Sequence, residues 1–181
     1  NIIRVAAKSQ RGLNEMTIVC LDRPRHEAII REAREVGARI HLISDGDVNP
    51  AMECCLEGSG IHMYIGTGGA PEGVLAAAAL KCVGGDMQAR LVPSTPEEEE
   101  RCHSMGIKDL KKILTLDDLV PADDVIFAAT AITQGNLLSG IKYFPGGART
   151  HSIVMRQKTG TVRFVDTIHK LDKKLKSMKA K

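Results

Sequence analysis

The chain has 181 residues, with 25 Lys plus Arg against 22 Asp plus Glu and a formal charge of +3. That length suits one domain on the usual prior of about 100–200 residues, and 43% hydrophobic with 26% charged residues excludes a disordered, collagen-like or disulfide-scaffold chain. Aromatic residues make up only 3%, with no Trp, so the core is expected to be aliphatic and rings for stacking bases or sugars are scarce.

Taken in chain order, residues 17–22 (TIVCLD) read as a short buried strand. A helix over 26–36 follows, with Ala28, Ile29, Ile30, Ala33 and Val36 near helical spacing and Gly37 as its stop. Residues 39–44 (RIHLIS) form the next expected strand, and 49–56 a short helix with Asn49 as cap and Pro50 at its first position. A third strand is expected at 61–65, an Ala-rich helix at 72–83 and a fourth strand at 86–92. Glu97, Glu98, Glu99 and Glu100 mark a helix start near Pro96, where acid complements the helix dipole. Residues 109–120 read as one or two short helices, and 124–129 (DVIFAA) as a buried strand. Three strands at 141–143, 152–156 and 161–166 follow, with turns at Gly146-Gly147 and Lys158-Thr159-Gly160. Beyond Ile168 the chain is lysine-rich, and Leu171, Leu175 and Met178 at helical spacing predict a terminal amphipathic helix or tail. The alternation implies one layered α/β unit with a mixed sheet, parallel strands early and antiparallel strands late.

In open α/β sheets, ligands bind outside the carboxyl ends of the strands, so the first three strand-to-helix junctions are the candidate site. The first carries Asp22-Arg23-Pro24-Arg25-His26. Arginine forks match phosphate oxygens, and a proline between two of them holds the spacing extended. Solvated arginines before a helix fit the same residues. The second carries Ser44-Asp45-Gly46-Asp47, which suits sugar hydroxyls or a hard divalent cation, and equally a turn with a helix cap. The third is the strongest local signal: residues 66–73 (GTGGAPEG) hold four glycines before a helix. Such a loop lets backbone amides approach an anion at a helix N-terminus, with Glu72 placed beside it for a metal ion; a tight strand-to-helix turn is the alternative. Two later segments have weaker claims: the hydroxyls at Thr130 and Thr133, and Arg149 after Gly146-Gly147, each of which also fits a plain turn.

Standard signatures are missing. A GxGxxG run would need glycine where Pro71 stands, and no P-loop, GxSxG or HExxH occurs. The six histidines lack zinc-ligand spacing, and His41 and His62 fall inside expected strands, where structural roles suffice. No stretch approaches the ~20 apolar residues of a membrane span, and no leader-like segment opens the chain. The +3 charge is too mild to imply nucleic acid or membrane. Five cysteines without a CxxC read as reduced thiols of a cytoplasmic protein.

Together, LDRPRHE, LISDGDV, GTGGAPEGVLAAAALKCVGGDMQARL, DVIFAAT and GGARTHSIVMR, in this order and spacing, resemble the class II fructose-1,6-bisphosphatases of the lithium-sensitive phosphatase fold group. The resemblance runs to about His169. It implies hydrolysis of the 1-phosphate of fructose 1,6-bisphosphate to fructose 6-phosphate with Mg²⁺ or Mn²⁺, in gluconeogenesis. It assigns substrate contacts to Arg23, Pro24, Arg25, Asp45, Gly46, Asp47 and Gly69, and a metal ligand to Glu72. A homo-oligomer is expected, and sedoheptulose 1,7-bisphosphate is a second substrate of some relatives. The family's N-terminal half, with its acidic metal ligands and a Glu-Gly-Thr segment, has no counterpart here. Residues 1–168 are therefore expected to be the C-terminal α/β domain and 169–181 a lysine-rich helix or tail, with catalytic groups mainly in the other half and the isolated chain inactive. The competing reading is a non-catalytic sugar-phosphate-binding module. An inositol-phosphate or nucleotide 3′-phosphatase of the same fold group is the other enzyme alternative.

Overall fold

The computed structural model describes residues 1–171. Its first layer is a parallel sheet in the order β2-β1-β3, formed by β1 (Thr17–Leu21), β2 (Arg39–Ile43) and β3 (Met63–Tyr64). Thr17 pairs with Arg39 and Leu21 with Ile43 on one side of β1, and Ile18 with Met63 on the other. As the central strand, β1 is covered on both faces, and Ile18, Val19, Cys20 and Leu21 are all buried. Helix α2 (Glu27–Glu35) returns the chain from β1 to β2 and turns out at Gly37. One helix was not anticipated. α1 (Ile2–Lys8) packs Ile2, Val5 and Ala6 with Met16, Ile18, Ala33 and Ala38.

α3 (Val48–Glu53) begins one residue before the expected cap, so Asp47 takes the N-cap position and Pro50 the third helical residue. Proline is tolerated there because first-turn N–H groups have no helical acceptor. α4 (Ala70–Val83) starts after Gly69 and ends on Gly84 in the left-handed region, φ 72°. Its alanines have a spatial cause. Ala76 and Leu80 pack with Ala51 of α3 beside Tyr64, while Ala79 and Cys82 join Phe127, Ile153 and Met155 of the second sheet. A helix between two layers fits only if its side chains are small.

The second sheet is antiparallel: β6 (Ile126–Thr130) and β7 (Lys142–Phe144) pair with one side of β8 (Gly147–Arg156), and β9 (Thr161–Lys170) with the other. The parallel and antiparallel strands thus form separate sheets. The segment expected as a buried strand at 124–129 alternates instead. Phe127 is buried and Ile126 is 66% exposed, because α4 covers only one face of this sheet. The expected strand at 86–92 shrinks to β4 (Gln88–Ala89), which pairs with β5 (Leu114–Thr115). Its partner stops there because Thr115 caps α6 (Leu116–Leu119), exchanging hydrogen bonds with Asp118. α5 (Pro96–Ser104) starts at the acidic run as expected, with Thr95 Oγ1 accepting from the Glu98 amide. β9 continues to Lys170, so Ile168, His169 and Lys170 are strand rather than the opening of a helix; Leu175 and Met178 of the expected terminal helix lie outside the described residues.

Candidate functional site

The parallel register sets the carboxyl ends of β1, β2 and β3 along one edge, and the three loops that leave them are tied together by named bonds. After β1, Arg23 is extended, φ −139° and ψ 146°, as a residue before proline must be. Residues Pro24–His26 then make a 3-10 turn that buries His26 completely. His26 Nε2 accepts the Thr67 amide at 2.8 Å. A backbone N–H can only donate, so Nε2 carries no proton and Nδ1–H donates to the Leu21 carbonyl at 3.0 Å.

The two arginines diverge. Arg23 spends its fork on backbone, donating to Ser44 O at 2.7 Å and Asp22 O at 3.4 Å, and so joins the β1 and β2 loops. Arg25 donates from Nε to Thr67 O at 2.8 Å. Its two terminal nitrogens have no hydrogen-bond partner among the described residues.

In the β2 loop, Asp45 Oδ1 accepts the Gly46 amide at 2.9 Å, and Gly46 has φ 89°. Asp47 Oδ1 accepts the Tyr64 hydroxyl at 2.5 Å. Burial and the adjacent Asp47 carboxylate push the Tyr64 phenol well above its ordinary value, so it stays a donor. Gly68 lies against the same carboxylate: a methyl group there would stand 2.7 Å from Asp47 Oδ2. Gly69 caps α4, and a side chain on it would collide with the Glu72 carboxylate. Glu72 is thus folded back over the loop it was expected to serve. The amides of Gly68 and Gly69 have no acceptor among the described residues.

Behind Asp45 lies a cavity of about 90 Å³, lined by His41, Ile43, Asn49, Glu53 and Asn136 among others. Burial raises the Glu53 carboxyl, opposed by a hydrogen bond from Asn136 and by the nearby His41. Neither Glu53 nor Asn136 stood out in sequence, because an acid in a short helix and an amide in a loop are ordinary surface residues. His26 was read only as the end of the arginine motif. The weaker candidates lie elsewhere: Thr130 bonds Ser152 across the antiparallel sheet at 2.8 Å, and Arg149 pairs with Asp166 at 3.1 Å.

Among the described residues no three His, Cys, Asp or Glu side chains gather as a metal site. Divalent cations take several oxygen ligands, so Glu72 does not make such a site by itself. No helix among the described residues is long and apolar enough to cross a membrane. The five cysteines have free thiols.

A family model described as bacterial fructose-1,6-bisphosphatase, glpX-encoded, matches residues 1–169. A Synechococcus protein is 41% identical over 95% of this chain and 53% of its own length. A Synechocystis protein is 43% identical over 88% of this chain and 50% of its own length. Both are named D-fructose 1,6-bisphosphatase class 2/sedoheptulose 1,7-bisphosphatase, as is an Acaryochloris marina protein, numbered 1, at 40% identity over 98% of this chain. The chain spans about half the length of the curated relatives it matches.

Proposed function

The chain belongs to the bacterial fructose-1,6-bisphosphatase family, and from that premise we propose that it supplies the substrate-holding part of a cytoplasmic phosphatase. The reaction is hydrolysis of the 1-phosphate of fructose 1,6-bisphosphate, giving fructose 6-phosphate and inorganic phosphate, as in gluconeogenesis. The observation that carries this reading is that the three strand-end loops are tied to one another, Arg23 to Ser44, Arg25 and His26 to Thr67, and Gly68 against Asp47, while the terminal nitrogens of Arg25 and the amides of Gly68 and Gly69 have no partner among the described residues. A planar guanidinium and two amides match the oxygens of one phosphate.

In this reading Arg25 grips a substrate phosphate, and Arg23 with Pro24 sets the height at which it does so. Asp45, Gly46 and Asp47 face the sugar hydroxyls, and the Gly69 backbone contacts the substrate. Glu72 contributes one oxygen ligand to Mg²⁺ or Mn²⁺, which would supply Lewis-acid polarisation of the phosphate. The other ligands come from the part of the relatives' length that this chain does not span, and the protein works as a homo-oligomer. The names of the relatives favour sedoheptulose 1,7-bisphosphate as a second substrate.

The test is phosphate release by the isolated chain, and by the chain combined with the polypeptide matching the relatives' other half, with Mg²⁺ or Mn²⁺ present. The mixture is expected to release phosphate from fructose 1,6-bisphosphate and the isolated chain to release none. Turnover by the chain alone would overturn the division of labour. Metal-independent binding of the sugar bisphosphate, with no turnover in the mixture, would establish the non-catalytic binding module instead.

A further inference from the structure

One residue is held through both of its backbone polar groups. The Thr67 N–H is bound by His26 Nε2 at 2.8 Å, and the Thr67 carbonyl by Arg25 Nε at 2.8 Å. These are neighbours on one 3-10 turn, so turn and glycine loop meet at a fixed orientation although 41 residues separate His26 from Thr67. The ring is in turn anchored to the last carbonyl of β1 and has no exposed surface. The amides of Gly68 and Gly69 have no acceptor among the described residues, and glycines on their own leave such a segment free to turn.

We propose that His26 is a positioning residue that sets the direction of the Gly68 and Gly69 amides toward the phosphate of the substrate. It acts only as the neutral Nδ1–H tautomer, with the ring buried away from substrate. An imidazole with both nitrogens protonated, or only Nε2 protonated, would set N–H against the Thr67 N–H and release the loop. Arg25 is aimed by the carbonyl of the same residue, so loss of the His26 bond moves the cation and the amides together. This proposal rests on the reading of the glycine loop as phosphate-binding.

The experiment compares the wild-type chain with H26Q and H26L. Glutamine keeps one donor for Leu21 and one acceptor for Thr67; leucine keeps neither and suits a buried site. Three readings are taken: ring-nitrogen NMR shifts of His26, hydrogen exchange at the Thr67 amide, and binding of fructose 1,6-bisphosphate. The wild-type ring is expected to show an unprotonated Nε2. H26L should exchange at Thr67 at least about tenfold faster and bind about tenfold more weakly, which is the scale of one hydrogen bond in an equilibrium constant. H26Q should restore both to within about threefold. A protonated Nε2, or unchanged Thr67 exchange in H26L, overturns the clamp; the ring shifts decide this in the wild-type chain even if H26L fails to fold. Changed exchange with unchanged binding overturns the positioning role. No binding by the wild type overturns the phosphate-loop reading underneath it, a failure distinguishable because the exchange and ring readings still report on the clamp.

Discussion

In the parallel sheet, the central strand β1 is buried from Ile18 to Leu21, and every strand delivers its carboxyl end to the same edge. In the antiparallel sheet, burial alternates along β6 and the last four residues of β8, and successive turns fall at opposite ends. Direction accounts for the difference. Parallel strands stack their outgoing loops side by side, so the loops at 23–26, 44–47 and 66–69, far apart in sequence, are tied to one another. Antiparallel strands scatter their loops but give one continuous face, on which Phe127, Ile153 and Met155 pack beneath α4. The first sheet concentrates polar chemistry at one edge; the second supplies the larger core.

The largest expected effect tests the second half of that contrast. Ile153→Ala removes a fully buried side chain from the larger cluster and should cost about 2–5 kcal/mol of unfolding free energy, read by urea denaturation. Binding of fructose 1,6-bisphosphate by the folded fraction should be unchanged. A binding defect as large as the stability defect would break the separation of roles.

Next in size is Gly68→Ala, which tests the first half. The added methyl would stand 2.7 Å from Asp47 Oδ2, so either the loop or the carboxylate must move. Binding should weaken about tenfold, or about 1.4 kcal/mol, while the denaturation midpoint shifts little because the position is exposed. A large loss of stability with intact binding would mean that the glycine serves packing alone.

Tyr64→Phe is a smaller change. It removes the donor to Asp47 Oδ1 without emptying the space filled by the ring. A stability loss of about 1 kcal/mol is expected, with the denaturation midpoint moving and the slope constant. Since the bond ties the β2 loop to β3, substrate binding should fall as well. A stability effect without a binding effect would separate Asp47 from the site.

The same contrast explains what the sequence made legible. The motifs at 22–26, 44–47 and 66–73 are local, and strand-to-helix alternation was enough to place them on one edge. Partnerships across that edge were not legible. Arg23 and Arg25 look equivalent on either side of Pro24, yet the 3-10 turn sends one to Ser44 and the other to Thr67. His26 carried no signal because its burial depends on a loop 41 residues away. Glu53 and Asn136 meet only once α3 docks near the segment after β6. α1 was missed because its seven residues have no side-chain cap and become stable only against Met16 and Ala33. The segment DVIFAA misled for another reason: a run of apolar residues cannot show that its sheet is covered on one face only.

The smallest expected effect lies at the opposite end of the parallel sheet, away from the loops. His62 Nδ1 accepts the Thr17 amide at 3.0 Å, joining the chain before β3 to the start of β1. Partial burial, with Arg11 and Arg39 nearby, lowers the ring below its ordinary 6.5, and Glu15 opposes the shift. The folded chain therefore resists a proton that the unfolded chain accepts. Above about pH 6.5 both states are neutral at this ring and its contribution is complete. As pH falls below that value the unfolded state binds the proton first, and stability declines until the folded ring titrates as well. The shift should appear as a His62 titration midpoint below 6.5 in NMR, with a shallow decline in denaturation midpoint over the same pH range. H62F should flatten that decline while leaving sugar bisphosphate binding unchanged. If H62F instead weakened binding, the two ends of the sheet would be coupled, and the contrast between a chemical edge and a structural remainder would have to be redrawn within the parallel sheet itself.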